Sequence, residues 1–187
     1  MAYIGLRKPF VYPMAAEGGG YEAAIPFGKA VSFSDTPNIS EASLYGDDAL
    51  AESERAVTSS TLSLGTTDVP DACKEPMFGH KKKTGSGSEK EFAYNVDDMS
   101  PYVGFGVIGV KKVDGVRSFE AKAYPRTQWS EPSVTINTRG ESTEFTTPST
   151  EGTALPDDNG DYKWEESFAT EAEAIAWMNK KFGQEEA

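Results

Sequence analysis

Apolar and polar residues alternate with a period of two along most of the chain, and Thr, Val, Phe and Tyr recur in these runs between Gly, Pro, Asn and Asp punctuation. That pattern predicts half-buried antiparallel strands. The clearest case spans 102–129. Val103, Phe105 and Val107 fall on one side of a first strand, Asp114-Gly115 supplies the positive backbone angles of a tight turn, and Phe119, Ala121 and Ala123 share a side of the return strand. Shorter strands are expected at 29–34, 57–64, 91–96, 133–138 and 143–147, with the last two flanking a turn at Arg139-Gly140. The fold class is therefore mostly β, a sandwich or barrel.

Two segments read as helices. Asp68 is placed to cap a short one, Pro70 suits its first turn, and Ala72, Cys73 and Met77 follow before Gly79 stops it. A C-terminal α-helix opens with Thr170 and Glu173 at capping-box spacing, runs to Phe182 and stops at Gly183. Its Ile175, Met178 and Phe182 form an apolar stripe, widened by Trp177, that has to pack on something. Between these elements, 80–90 holds Lys81, Lys82, Lys83 and Gly85-Ser86-Gly87-Ser88, the composition of a hairpin tip or an unstructured loop. The 47–56 stretch mixes acids and alanines and reads as loop or weak helix. Residues 146–161, rich in Thr, Pro, Gly and Asp, read as a linker to the last helix. Two regions result: a β domain over 1–150 with an N-terminal arm, and 151–187 as linker plus helix of unassigned role.

Composition narrows the function. A length of 187 residues permits a real hydrophobic core in one domain, and 37% hydrophobic with 26% charged residues is ordinary for a soluble fold. Thirty acidic against eighteen basic residues leave a formal charge of -12, which repels phosphate and disfavours binding to nucleic acid or an anionic membrane. Cys73 is the only cysteine, so no intrachain disulfide is expected and a reducing compartment is the natural setting. The N-terminus lacks the apolar core and cleavage site of a signal peptide, and the apolar run 103–110, with three glycines, is too short to span a bilayer as a helix.

Candidate chemistry is weak throughout. Gly104, Gly106 and Gly109 match GxGxxG, but no helix follows, so close approach of a backbone or an aromatic ring explains them better than a phosphate does. In the acidic turn Asp157-Asp158-Asn159-Gly160-Asp161 the glycine and the final carboxylate are misplaced for an EF-hand, which favours a solvated hairpin turn. His80 is the sole histidine and stands beside three lysines, with no nucleophile elbow anywhere, while Cys73 reads as a small buried hydrophobe. Neighbouring carboxylates such as Asp97-Asp98 point apart on a strand or turn. The Asn38-Ile39-Ser40 sequon has little meaning without an export signal. No catalytic, cofactor-binding or metal-binding residue is assigned, and the chain is not expected to be an enzyme.

Several blocks carry a resemblance. Ala2-Tyr3-Ile4-Gly5-Leu6-Arg7-Lys8-Pro9-Phe10, Ala42 through Glu52, Met77-Phe78-Gly79-His80, Asp97-Asp98, Pro101 through Gly106, Val113-Asp114-Gly115-Val116-Arg117 and Arg139-Gly140-Glu141, with Phe145 and Pro148, lie in order across 2–148. Together they resemble the major tail proteins of siphophages that infect Gram-positive bacteria. Nothing beyond Thr150 takes part.

The resemblance implies two packed antiparallel β sheets with a flanking short α-helix, subunits closing into rings that are hexameric in the family, and rings stacking into the tail tube that carries double-stranded DNA. It implies a structural homo-oligomer of the virion, assembled in the host cytoplasm. Its partners would be the chain itself and the tape measure, tail terminator and distal tail proteins, with DNA passing unbound and no membrane involved. Expected contacts between subunits are Ile4, Leu6, Arg7 and Phe10 on the arm, and Tyr45, Asp47, Asp48 and Leu50 in the 45–56 loop. Fast DNA sliding calls for an acidic lumen, with Asp97, Asp98 and Glu120 as candidate lining residues and Lys111, Lys112 and Lys122 expected to point outward or pair with acids. The alternative is a virion-surface β-sandwich module binding a receptor or carbohydrate, for which Trp129, Trp164 and Tyr162 would be sugar platforms unless they pack in the core or an interface.

Overall fold

The computed structural model describes residues 2–15, 20–47, 49–83, 91–138 and 145–184. In chain order the elements are β1 (Ala2–Pro13), β2 (Ile25–Pro26), β3 (Ala30–Gly46), β4 (Ala49–Thr66), α1 (Asp71–Phe78), β5 (Lys81–Lys82), β6 (Phe92–Ala93), β7 (Val103–Val113), β8 (Val116–Trp129), β9 (Ser149–Leu155), β10 (Trp164–Phe168) and α2 (Glu171–Lys181). The protein is mostly β, as the alternation predicts.

All strands but β5 and β6 belong to one antiparallel sheet in the order β2-β1-β7-β8-β9-β4-β3, with β10 pairing β8 beside β9. Both layers of the sandwich come from this sheet, which curls until its ends face each other. Val11 of β1 packs with Leu62 and Leu64 of β4 across the interior, together with Phe105, Tyr124 and Trp129. Cys73, Met77 and Phe78 of α1 close one end of that core. On the outside, α2 lies over β1, β7 and β8, where Met178 meets Ile108 and Ala121, and Phe182 meets Tyr12 and Ala123. The middle strand β7 is therefore covered on both faces. That double burial explains why 103–110 reads as a continuous apolar run.

The expected hairpin at 102–129 is present, turning at Asp114 and Gly115, both with positive φ. The capping box at Thr170 and Glu173 forms in full, and Gly79 ends α1 in the left-handed region. Asp68 does not cap α1: the helix starts three residues later with Pro70 at its N-cap, and the Asp68 carboxylate instead accepts from the Thr67 hydroxyl at 2.7 Å.

Other expectations are corrected. The N-terminal segment is not an arm; it is strand β1, paired with β7 from Ala2 to Pro13. The domain boundary at 150 falls inside β9, which bridges β8 and β4, so 149–155 belongs to the body and α2 is packed on it. Of the 47–56 stretch, Asp47 is a turn residue and 49–56 is strand: the short strands expected at 29–34 and 57–64 are the inner ends of one long hairpin, β3–β4. At 91–96 only Phe92–Ala93 is strand, and at 133–138 only Ser133 makes a bridge, to Ser149. Residues 145–147 are not strand, and the turn at 139–140, residues 143–144, Asp48 and 84–90 lie outside the described residues.

Candidate assembly surface

The β3–β4 hairpin is the most conspicuous feature of the surface. β9 joins β4 only from Ser60 to Gly65, so beyond Asn38 and Ser59 the two strands pair, among the described residues, with nothing but each other. Described side chains from 38 to 58 are all exposed, including Ile39, Leu44, Tyr45, Leu50 and Val57. At about 3.4 Å per residue, the ribbon reaches roughly 30 Å beyond the body. Its internal bonds are modest: Asn38 Nδ2 donates to Ser59 Oγ at 3.0 Å, and Arg55 pairs with Glu41 at 3.2 Å. A two-stranded ribbon with no buried face is marginal in water, and one with free edges and exposed apolar side chains offers itself for pairing.

A second region lies at the seam where the curled sheet fails to close. β2 pairs β1 only at Phe10 and Val11, and the Phe27 N–H donates to the Pro9 carbonyl, so among the described residues the outer edge of 2–8 has no strand partner. Between β1 and β3 runs a cleft of about 600 Å³ lined by Ile4, Leu6, Val31 and Phe33 with Lys122 and Lys163.

Polar groups within the seam are satisfied internally. The Glu120 carboxylate accepts from the Tyr3 hydroxyl and from the Lys111 ammonium, with Lys122 3.8 Å away and bridging to Glu165 at 3.4 Å. Burial works against the charge of Glu120, but contacts with Glu165, Lys111 and Tyr3 and the nearby Lys122 outweigh it and hold its carboxyl below the usual range. Burial and the Glu120 carboxylate push the Tyr3 phenol up to about 12. Beside this cluster, Asp35 accepts from Ser60, Tyr124 and Lys163; burial opposes its charge and these three donors hold its carboxyl low.

The third locus joins two of the sequence blocks. His80 Nδ1 stands 3.0 Å from Asp98 Oδ2, and the same carboxylate accepts from the Asn95 backbone N–H at 3.0 Å. The Asn95 N–H and then His80 hold the Asp98 carboxyl low. Gly79 makes the junction possible, since a side chain there would stand 2.3 Å from the Met99 carbonyl oxygen. His80 also lines a cleft of about 330 Å³ with Phe78, Tyr94, Lys74, Glu131 and Val134.

No protein-family model matches the chain, and no curated protein sequence matches it.

The residues singled out in the sequence scatter across these loci. Tyr45, Asp47 and Leu50 occupy the exposed end of the ribbon, where Asp47 has a φ of 50° at the turn. Ile4 is exposed on β1, whereas Leu6 packs partly on the interior core and Phe10 on the layer beneath α2. Arg7 pairs with Glu171 of α2 at 2.8 Å. Leu6 and Phe10 are thus half-buried within the chain, while Arg7 stays exposed beside Glu171.

Of the candidate lumen acids, Glu120 is 1% exposed and Asp98 is sequestered by His80, so neither can line a channel; Asp97 alone is exposed. Lys111 and Lys122 are paired with acids and Lys112 is exposed. Among the sugar-platform candidates, Trp129 is 1% exposed in the core and Trp164 packs beside Phe182 and under Lys181. Burial pushes the Cys73 thiol up to about 12, the opposite of an activated nucleophile. Asp157 spends its carboxylate on the backbone N–H groups of Asn159 and Asp161, at 2.8 and 2.9 Å, and no acid, His or Cys cluster suited to a metal occurs among the described residues.

What sequence reasoning missed is the ribbon. Its apolar residues, Ile39, Leu44, Tyr45, Leu50 and Val57, do not recur with a period of two, so the usual signature of a half-buried strand is absent. The surviving signals were Asn38 through Ser43 and Thr58 through Ser63, mostly polar stretches rich in Ser and Thr on either side of an acidic segment.

Proposed function

We propose that this chain is a tail-tube subunit of a long-tailed bacteriophage, a structural protein that acts by assembling with copies of itself around a passage for double-stranded DNA. The observation that carries the reading is the ribbon at 38–59: roughly twenty residues kept extended, apolar in part and unpartnered, which is costly in an isolated protein and sensible in a polymer. The resemblance over 2–148 supplies the kind of polymer. Its blocks at 2–10, 42–52, 77–80 and 97–98 fall on the seam, the ribbon and the His80–Asp98 junction, the three places where the surface is organised.

In this reading the ribbon spans to a neighbouring subunit and the open edges of β1 and β3 take part in closing the ring. The net charge of -12 keeps DNA from adhering, so the conduit lets it slide. The tape measure, tail terminator and distal tail proteins would meet the ends of the stack, within the virion.

Negative-stain electron microscopy of the purified protein over a range of concentrations tests the proposal. Rings or long tubes with a central channel are expected. Particles that stay monomeric at every concentration and bind glycans would replace it with the surface-module reading.

A further inference from the structure

The His80 cleft has an unmet chemical requirement that the other polar clusters lack. Asp98 is held ionised and can only accept, so the imidazole nitrogen facing it, Nδ1, carries the hydrogen. In the neutral ring that leaves Nε2 as an acceptor. Nε2 is buried, the residue is 6% exposed, and Nε2 is the one buried side-chain polar atom without a hydrogen-bond partner among the described residues. A buried acceptor left unpaired is costly, so a donor entering from the cleft would be well rewarded. Around it stand Phe78, Tyr94, Val134 and two prolines, Pro132 and Pro148, a wall suited to an aromatic ring. The half-exposed Tyr94, whose ring centroid is 4.1 Å from that of the imidazole, is the side that can give way.

The ribbon presents what the cleft lacks. Tyr45 is 69% exposed at its end, a planar ring bearing a hydroxyl that donates to a neutral imidazole. Residues 41–55 carry five carboxylates and one arginine. In the cleft wall Lys74 is held by Asp71 at 2.7 Å and Glu131 is a second acid, so the charge that can meet the acidic ribbon comes from Lys81 and Lys82, exposed next to His80.

We infer that the cleft beside His80 is the receptor for the ribbon of a second copy of this chain, with the Tyr45 ring seated against Phe78 and Tyr94 and its hydroxyl donating to His80 Nε2. The inference rests on the self-assembly reading. It goes further by naming the donor, the acceptor and the pocket.

A photo-crosslinking amino acid, benzoylphenylalanine, is placed at position 45 and assembled in an equal mixture of ¹⁴N- and ¹⁵N-labelled subunits. Mixed-isotope crosslinks to 69–82, 91–99 or 131–134 are expected. Crosslinks between copies that map elsewhere overturn the receptor assignment while leaving self-assembly intact; a wild-type protein that never assembles overturns both. In parallel, Tyr45→Phe, which keeps the ring, should raise the critical concentration for assembly about fivefold, the worth of a typical hydrogen bond. Combined with His80→Phe it should add nothing further. Independent, additive losses in the double variant, or an unchanged critical concentration for Tyr45→Phe, contradict the hydrogen bond.

Discussion

A methyl group placed on Gly104 would stand 2.5 Å from Cε1 of Phe182. The two residues are far apart in the chain, yet the ring of one fills the space where the other has no side chain. Gly106 repeats the arrangement with Met178 Sδ at 2.9 Å. Together they let α2 settle closely on β7, and the GxGxxG spacing is explained by packing.

Gly104→Ala should therefore destabilise the protein by about 1–3 kcal/mol, the usual cost of overpacking a filled site. Urea unfolding of the purified monomer checks it, with Gly5→Ala as control because its added methyl would meet Val110 at an ordinary 3.6 Å. Equal stability of the two variants would count against the packing account.

Removing side-chain volume from the same interface should also be costly. Met178 is fully buried against Ile108 and Ala121, so Met178→Ala is expected to cost about 2–5 kcal/mol. A melting curve within error of wild type would mean that α2 is not docked as described.

The Tyr3–Glu120–Lys111 cluster makes stability depend on pH in both directions. Glu120 is held low in the folded state, so the unfolded chain takes up its proton first as pH falls, and stability is lost from about pH 5 downward. Tyr3 is raised to about 12 from 10.0, so its contribution is complete below pH 10 and disappears as pH rises toward 12. Glu120→Gln should flatten part of the acid limb and Tyr3→Phe part of the alkaline limb in denaturation series across pH. Asp35 and Asp98, also held low, keep the acid limb from vanishing. Unchanged limbs in both variants would refute the linkage.

The two conspicuous N-terminal features should respond oppositely to deletion. Among the described residues, replacing 40–57 with a two-residue turn removes only exposed side chains, so the monomer's melting temperature should stay the same while assembly is lost. Removing 2–9 strips β7 of a neighbour and frees the buried Glu120 and Lys111 from Tyr3, so the monomer itself should unfold or melt much lower. A stable, well-folded protein after the second deletion would restore the free-arm picture.

How much of this was legible in the sequence follows the range of the interactions involved. The 103–129 hairpin, the capping box at Thr170, the glycine stop at Gly79 and the apolar stripe of α2 are written within a few residues of each other, where turn geometry and side-chain periodicity act directly. Those the sequence determined by itself. Tertiary structure alone decided that β1 joins the sheet through β7, that β9 sits between β8 and β4, that Glu120 is buried among its cations, and that His80 meets Asp98. Each of these joins residues distant in the chain, and what selects them is the total apolar surface that one arrangement of the whole sheet removes from water. The ribbon escaped for the complementary reason. With no face buried against the body, its strands leave no hydrophobic alternation to read, and their length became visible only when the partner strands were seen side by side.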